Sequence, residues 1–107
     1  MAGIWNRVVE RGELGDPLGS ATLTAAIYLV ARGVFTATQV RDALNGKLQN
    51  PLTVTELADL NTMLTNAATG SATAKLDYML RIESLLVAAE EGLLPNEATF
   101  RQEAGLP

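Results

Sequence analysis

The helix start and stop signals of this sequence constrain its fold more than any other feature. A capping box, in which a threonine is followed three residues later by glutamine or glutamate, marks the start of a helix. This pattern occurs at Thr36/Gln39 and Thr53/Glu56. Serine can cap in the same way at Ser20 and Ser71. A glycine after a periodic apolar segment closes a helix. With Gly33, Gly46, Gly70 and Gly92 as stops, these signals predict helices over 21–32, 37–45, 54–68 and 72–91.

A short fifth helix is predicted to start at Pro95 and Asn96 and to stop at Gly105. The chain has no long alternation of apolar and polar residues, so we expect no strand. We therefore expect an all-α fold: a small bundle of four main helices, a short C-terminal helix and an N-terminal helical arm. The arm and its linker would occupy residues 1–19, and the helical domain residues 20–107.

The core must be built from aliphatic side chains, because aromatic residues make up only 5% of the 107 residues. The helix over 21–32 is apolar nearly all round, and the helix over 72–91 carries two apolar stripes, so both should be covered on more than one side. The predicted core residues are Leu23, Ile27, Val30, Val40, Leu44, Leu57, Leu60, Leu64, Leu76, Leu80, Leu86, Val87 and Phe100.

The N-terminal segment differs from the rest of the chain. Ile4, Trp5, Val8 and Val9 share one face of a possible short helix, and the glycine-rich stretch 11–19 resembles a linker. An apolar anchor containing the only tryptophan is costly to expose. We expect this arm to dock, either on its own domain or on a neighbouring protein.

Composition excludes several classes of function. The chain has no cysteine and no histidine, which removes thiol nucleophiles, disulfides, Cys/His zinc sites and Ser-His-Asp triads. The net charge is −4 and the eight basic residues are scattered, which argues against nucleic-acid binding. The longest apolar run, 25–31, is too short to cross a bilayer, so we expect no membrane partner.

The titratable residues do not suggest a catalytic, metal or cofactor site. Glu56 and Asp59 are three residues apart on one helix, but Glu56 belongs to a capping box and we expect both to be solvated. Lys75, Asp77 and Tyr78 are close in sequence yet point in different directions on a helix. We expect a protein that is not an enzyme and that needs no cofactor.

Several segments resemble small helical proteins encoded among the virion genes of tailed bacteriophages. The resemblance lies in the opening Ile4-Trp5-Asn6-Arg7-Val8-Val9-Glu10-Arg11-Gly12-Glu13, in Arg32-Gly33-Val34-Phe35-Thr36 with Ala43-Leu44-Asn45, and in Lys75-Leu76-Asp77-Tyr78. It implies a virion protein assembled in the host cytoplasm, and it supplies no catalytic residue.

Two functions remain as hypotheses. The first is a structural or adaptor protein of a phage particle, associated with a tail or fibre, that packs against copies of itself and a neighbouring virion protein. The second is a small acidic regulatory module that binds a basic surface on a target in the host cytoplasm. The residues expected at an interface are Ile4, Trp5, Val8, Val9, Leu14, Tyr28, Tyr78 and Ile82.

Overall fold

Six helices make up the part of the chain that the structure, a computed structural model, describes: residues 3–9 and 18–107. They are α1 (Trp5–Val9), α2 (Ser20–Ala31), α3 (Ala37–Lys47), α4 (Val54–Ala67), α5 (Ala72–Glu90) and α6 (Glu97–Ala104). The described ranges contain no strand, and the all-α prediction is confirmed.

The predicted capping boxes are present at both positions. The Thr36 hydroxyl accepts a hydrogen bond from the Gln39 amide, and the Gln39 side chain accepts one from the Thr36 amide. Thr53 and Glu56 form the same reciprocal pair at the start of α4. Local hydrogen bonding of this kind satisfies amides that the first helical turn leaves without partners, which is why the sequence alone could place these helix starts.

The bounds of the four main helices differ from the predicted ones by one or two residues. Gly19, rather than Ser20, is the N-cap of α2, so this helix begins one residue earlier than expected. Gly46 lies inside the last turn of α3, which continues to Lys47. Gly33, by contrast, follows α2 with a φ of 73°, in the left-handed region where a glycine stop is favoured.

The core lies between α2, α4 and α5, which pack on one another, and α1 and α6 close it at α5. Eight of the predicted core residues are buried, and Leu44 and Leu57 are half-buried at its margin. The prediction was wrong for Leu76, Leu80 and Val87, which are about half exposed. The other stripe of α5, from Tyr78 and Ile82 to Leu85 and Ala89, faces inward together with Leu86.

The described part of the N-terminal arm is packed into this same core. Ile4 and Val8 have no solvent exposure, and the ring of Trp5 packs against that of Phe100 with centroids 5.3 Å apart. Gly3 lies so close to Asp59 that an added Cβ would collide with its carboxylate, so only glycine fits there without a shift. Residues 3–9 therefore dock on the helical domain of the same chain.

Buried charges hold α1 in place. Asp59 is 3% exposed; it accepts a hydrogen bond from the Ile4 amide at 2.9 Å and two from the Arg101 guanidinium at 2.7 and 2.9 Å. Nε of Arg7 donates to Glu56 at 3.1 Å, with both side chains about 6% exposed. The expectation that Glu56 and Asp59 are solvated was wrong, because α1 and α6 cover them with cations and an amide.

Candidate interaction surface

An exposed apolar surface lies on the outer side of the α2 and α5 pair. Leu76, Leu80 and Val87 of α5 are 50%, 49% and 46% exposed, and their spacing of four and seven residues puts them on one side of the helix. Tyr28 of α2 is 42% exposed. We call this surface the α2/α5 face and define it by Ala21, Ala25, Tyr28, Leu76, Met79, Leu80 and Val87.

Two shallow depressions run along the α2/α5 face. One, of about 600 Å³, lies beside Ala21, Ala25 and Val87, and the other, of about 420 Å³, lies beside Leu76. Both are lined by Tyr28 and Met79, so the two depressions adjoin, and we refer to them together as the groove. An exposed apolar surface with polar edges is typical of a site that binds another protein.

The two ends of the groove carry opposite charges. Arg32 and Lys75 line the depression beside Leu76, whereas Glu83 lines the one beside Val87. Arg32 lies over the ring of Tyr28, with its guanidinium carbon 5.3 Å from the ring centroid, and donates a hydrogen bond to the Tyr28 hydroxyl. This contact holds the exposed tyrosine in a defined position on the face.

The structure places four of the predicted interface residues inside the fold, which corrects the prediction. Ile4 and Val8 belong to the buried core, and Ile82 and Tyr78 belong to the inward stripe of α5. All four are at most 7% exposed, so none of them is available to a partner while the fold is intact.

The other four predicted interface residues have different positions. Tyr28 lies on the α2/α5 face, as described above. Val9 is 44% exposed at the end of α1, and Trp5 is half-buried against Phe100. Leu14 lies outside the described residues. Sequence reasoning also missed Leu76, Leu80 and Val87, which it assigned to the core.

Tyr78 shows why part of α5 is internal. Its hydroxyl donates a 2.9 Å hydrogen bond to the carbonyl oxygen of Ala104 and so ties α5 to the end of α6. Burial raises the pKa of the phenol, although a hydrogen bond with the Asn66 side chain and the charge of Arg81 act in the opposite direction. Lys75 and Asp77 do not join Tyr78 in a site, since Asp77 is exposed and Lys75 lies at the groove.

We expect the Tyr78→Phe substitution to destabilise the fold by about 1 kcal/mol at pH 8, since a buried hydrogen bond is lost. The raised pKa means that the folded state favours the neutral phenol. The advantage of the wild type is therefore complete below the unfolded pKa of about 10 and is lost as the pH rises through the folded pKa. Urea unfolding of both proteins at pH 8 and pH 11 measures this difference. A difference that does not shrink at pH 11 would contradict the assignment.

A smaller apolar depression, of about 330 Å³, lies between α2 and α3. Its walls include Leu29, Phe35 and Leu44, and Lys47 is its one charged lining residue. Its lining offers no acidic group with which the lysine of a second copy could pair, and the depression is smaller than either of those along the α2/α5 face. The α2/α5 face is therefore the better candidate for a self-interaction.

The chain matches no protein-family model, no curated protein and no solved structure. Within the ranges 3–9 and 18–107, none of the helices combines the length and the apolar character needed to span a bilayer. The same ranges hold no group of three acidic residues placed to bind a metal ion.

Proposed function

We propose that this chain is a non-catalytic structural or adaptor protein that acts by packing against other proteins, first of all a second copy of itself. The observation that carries the proposal is the α2/α5 face. Three large aliphatic side chains stand about half exposed in one stripe on the longest helix, beside an exposed tyrosine on the neighbouring helix.

Leaving this apolar stripe in water is unfavourable in free energy. Burying apolar surface against a partner contributes about 25 cal/mol per Å² to the free energy of association. The half-exposed Leu76, Leu80 and Val87 therefore offer a partner a stabilising contact without any change in the fold. The buried carboxylates are not part of this surface. Inside the fold, Glu56 binds Arg7, and Asp59 binds Arg101 and the amide of Ile4.

The proposed setting is a tailed-phage particle, with a neighbouring virion protein of its tail or fibre as a further partner. This part of the proposal rests on the resemblance of the opening segment and of the turn after α2 to small virion proteins. Repeated subunits that pack through one apolar face are what such a particle requires of a structural component.

The test is the Leu80→Glu substitution, which puts a carboxylate in the exposed stripe between Leu76 and Val87. We expect the wild type to sediment as a defined oligomer and the variant as a monomer of 11.3 kDa, because covering the face would bury an unpaired charge. Sedimentation velocity at matched concentrations measures the effect. Helicity should stay unchanged, since the side chain replaced is half exposed.

The matched control is Val54→Glu. Val54 is 87% exposed at the start of α4 and is not part of the α2/α5 face, so this variant should sediment like the wild type. Equal loss of assembly in both variants would point to a general effect of charge. A wild type that is monomeric at every concentration would contradict self-packing and favour the regulatory module that binds a different protein.

A further inference from the structure

We infer that a second copy covers the α2/α5 face in a two-fold arrangement that places Lys75 of each copy against Glu83 of the other. The axis would pass close to Met79 and run across the direction of the helices. This inference rests on the proposed function, because it specifies how the same face would bind its own copy.

The first observation is the antiparallel course of α2 and α5, which gives the groove two distinct ends. Ser20, at the start of α2, donates its backbone amide to the Glu90 carboxylate at 2.9 Å, near the end of α5. At the opposite end, Arg32 after α2 and Lys75 in the first turns of α5 line the same depression. One end of the face is therefore basic and the other is acidic.

The second observation is the position of the charges about the centre of the groove. Met79 lines both depressions, and Lys75 and Glu83 lie four residues before and after it. Each is therefore about 6 Å from Met79 along the helix axis. In the part of the chain that the structure describes, neither Lys75 nor Glu83 forms an ion pair within 4.0 Å.

Symmetry then selects between two arrangements of the copies. A two-fold axis parallel to the helices would bring the basic ends together and the acidic ends together. An axis across the helices brings the basic end of each copy onto the acidic end of the other. Only the second makes the surface complementary to itself, which a two-fold interface requires.

The size of the face agrees with a specific contact between two copies. At a rise of about 1.5 Å per residue, the 19 residues of α5 extend about 28 Å and the 12 residues of α2 about 18 Å. With helices about 10 Å wide, the face measures roughly 500 Å² in projection, and roughly 1,000 Å² for two copies. That is the lower limit for a specific interface, since stable ones bury about 1,200–2,000 Å² in total.

The experiment is a charge swap followed by sedimentation equilibrium of the full chain at low salt. Lys75→Glu and Glu83→Lys should each weaken the dimer by about tenfold, because the symmetry turns two attractive pairs into two repulsive ones. The double variant K75E/E83K should return the dissociation constant to within about threefold of the wild type. The control, Lys47→Glu, makes the same change of charge on α3, away from the face, and should behave as the wild type.

The possible results distinguish an error in the two-fold arrangement from an error in the proposed function. If the wild type dimerises and L80E is monomeric, but the double variant is as weak as the single variants, the two-fold register is overturned and packing through the face stands. Single variants with unchanged dissociation constants lead to the same conclusion. If the wild type does not self-associate at all, both are overturned. Circular dichroism at 222 nm confirms that each variant is folded.

Discussion

Deleting residues 1–9 should remove most of the stability of the fold, even though the segment is short. Ile4 and Val8 have no solvent exposure, and burial of side chains of this size contributes about 1.5–3 kcal/mol each. The deletion also removes Arg7 from Glu56 and the Ile4 amide from Asp59, and breaking a buried ion pair costs about 3–5 kcal/mol. A loss of more than about 5 kcal/mol would leave little of the stability usual for a domain.

Urea unfolding followed by circular dichroism at 222 nm measures this loss. Ile4→Ala should account for about 2–5 kcal/mol of it, since it removes a fully buried side chain. Val9→Ala serves as the matched control within the same helix, because Val9 is 44% exposed, and it should change stability by less than about 1 kcal/mol. A truncated chain with the helicity and unfolding midpoint of the full chain would contradict the docking of α1.

The Asp59→Ala substitution should lower the free energy of unfolding by about 3 kcal/mol. The variant leaves the guanidinium of Arg101 without its bidentate partner and the amide of Ile4 without an acceptor. This loss of stability is at the lower end of the range for breaking a buried ion pair, about 3–5 kcal/mol, because the Arg101 side chain is 22% exposed and water can reach it.

Asp77→Ala is the control for that substitution, since Asp77 is exposed on α5 and the change should stay within about 0.5 kcal/mol. Asp59→Asn keeps the shape of the side chain and one acceptor oxygen, so its stability should lie between those of Asp59→Ala and Asp77→Ala. Urea midpoints of the three variants give the ranking. Equal midpoints for Asp59→Ala and Asp77→Ala would show that the buried pair does not stabilise the fold.

The sequence predicted most reliably what depends on neighbouring residues. Capping boxes at Thr36 and Thr53 and the serine cap at Ser71 are local hydrogen-bond patterns, and each is present. Gly19, and not Ser20, is the N-cap of α2, and the backbone amide of Ser20 donates instead to Glu90, which is 70 residues away. A contact at that separation cannot be inferred from a local pattern.

The stripes of α5 show where periodicity stops being informative. Both stripes are apolar at helical spacing, so the pattern indicates contact on two sides without saying which side faces the core. The contacts of α1, α2 and α6 decide that Ile82 and Leu85 face inward and that Leu76 and Leu80 do not. Leu76 and Leu80 therefore lie on the outer side of α5, and the sequence alone could not identify the α2/α5 face.

The burial of Glu56 and Asp59 had a signal that was available in the sequence. Both residues fall at three- and four-residue spacing with Leu60, Met63 and Leu64, and therefore lie on the apolar face of α4. An acid on such a face requires a buried partner. Arg7 lies three residues after Ile4 on α1, at the spacing that puts two side chains on one side of a helix, and it is the partner of Glu56.

The mass of the unmodified chain in solution tests most directly whether a second copy covers the α2/α5 face. Light scattering over a range of concentrations should show the mass rising from 11.3 kDa towards twice that value and then levelling off. A plateau at the dimer is what a closed two-fold contact predicts. A mass that stays at 11.3 kDa throughout the range would contradict the account.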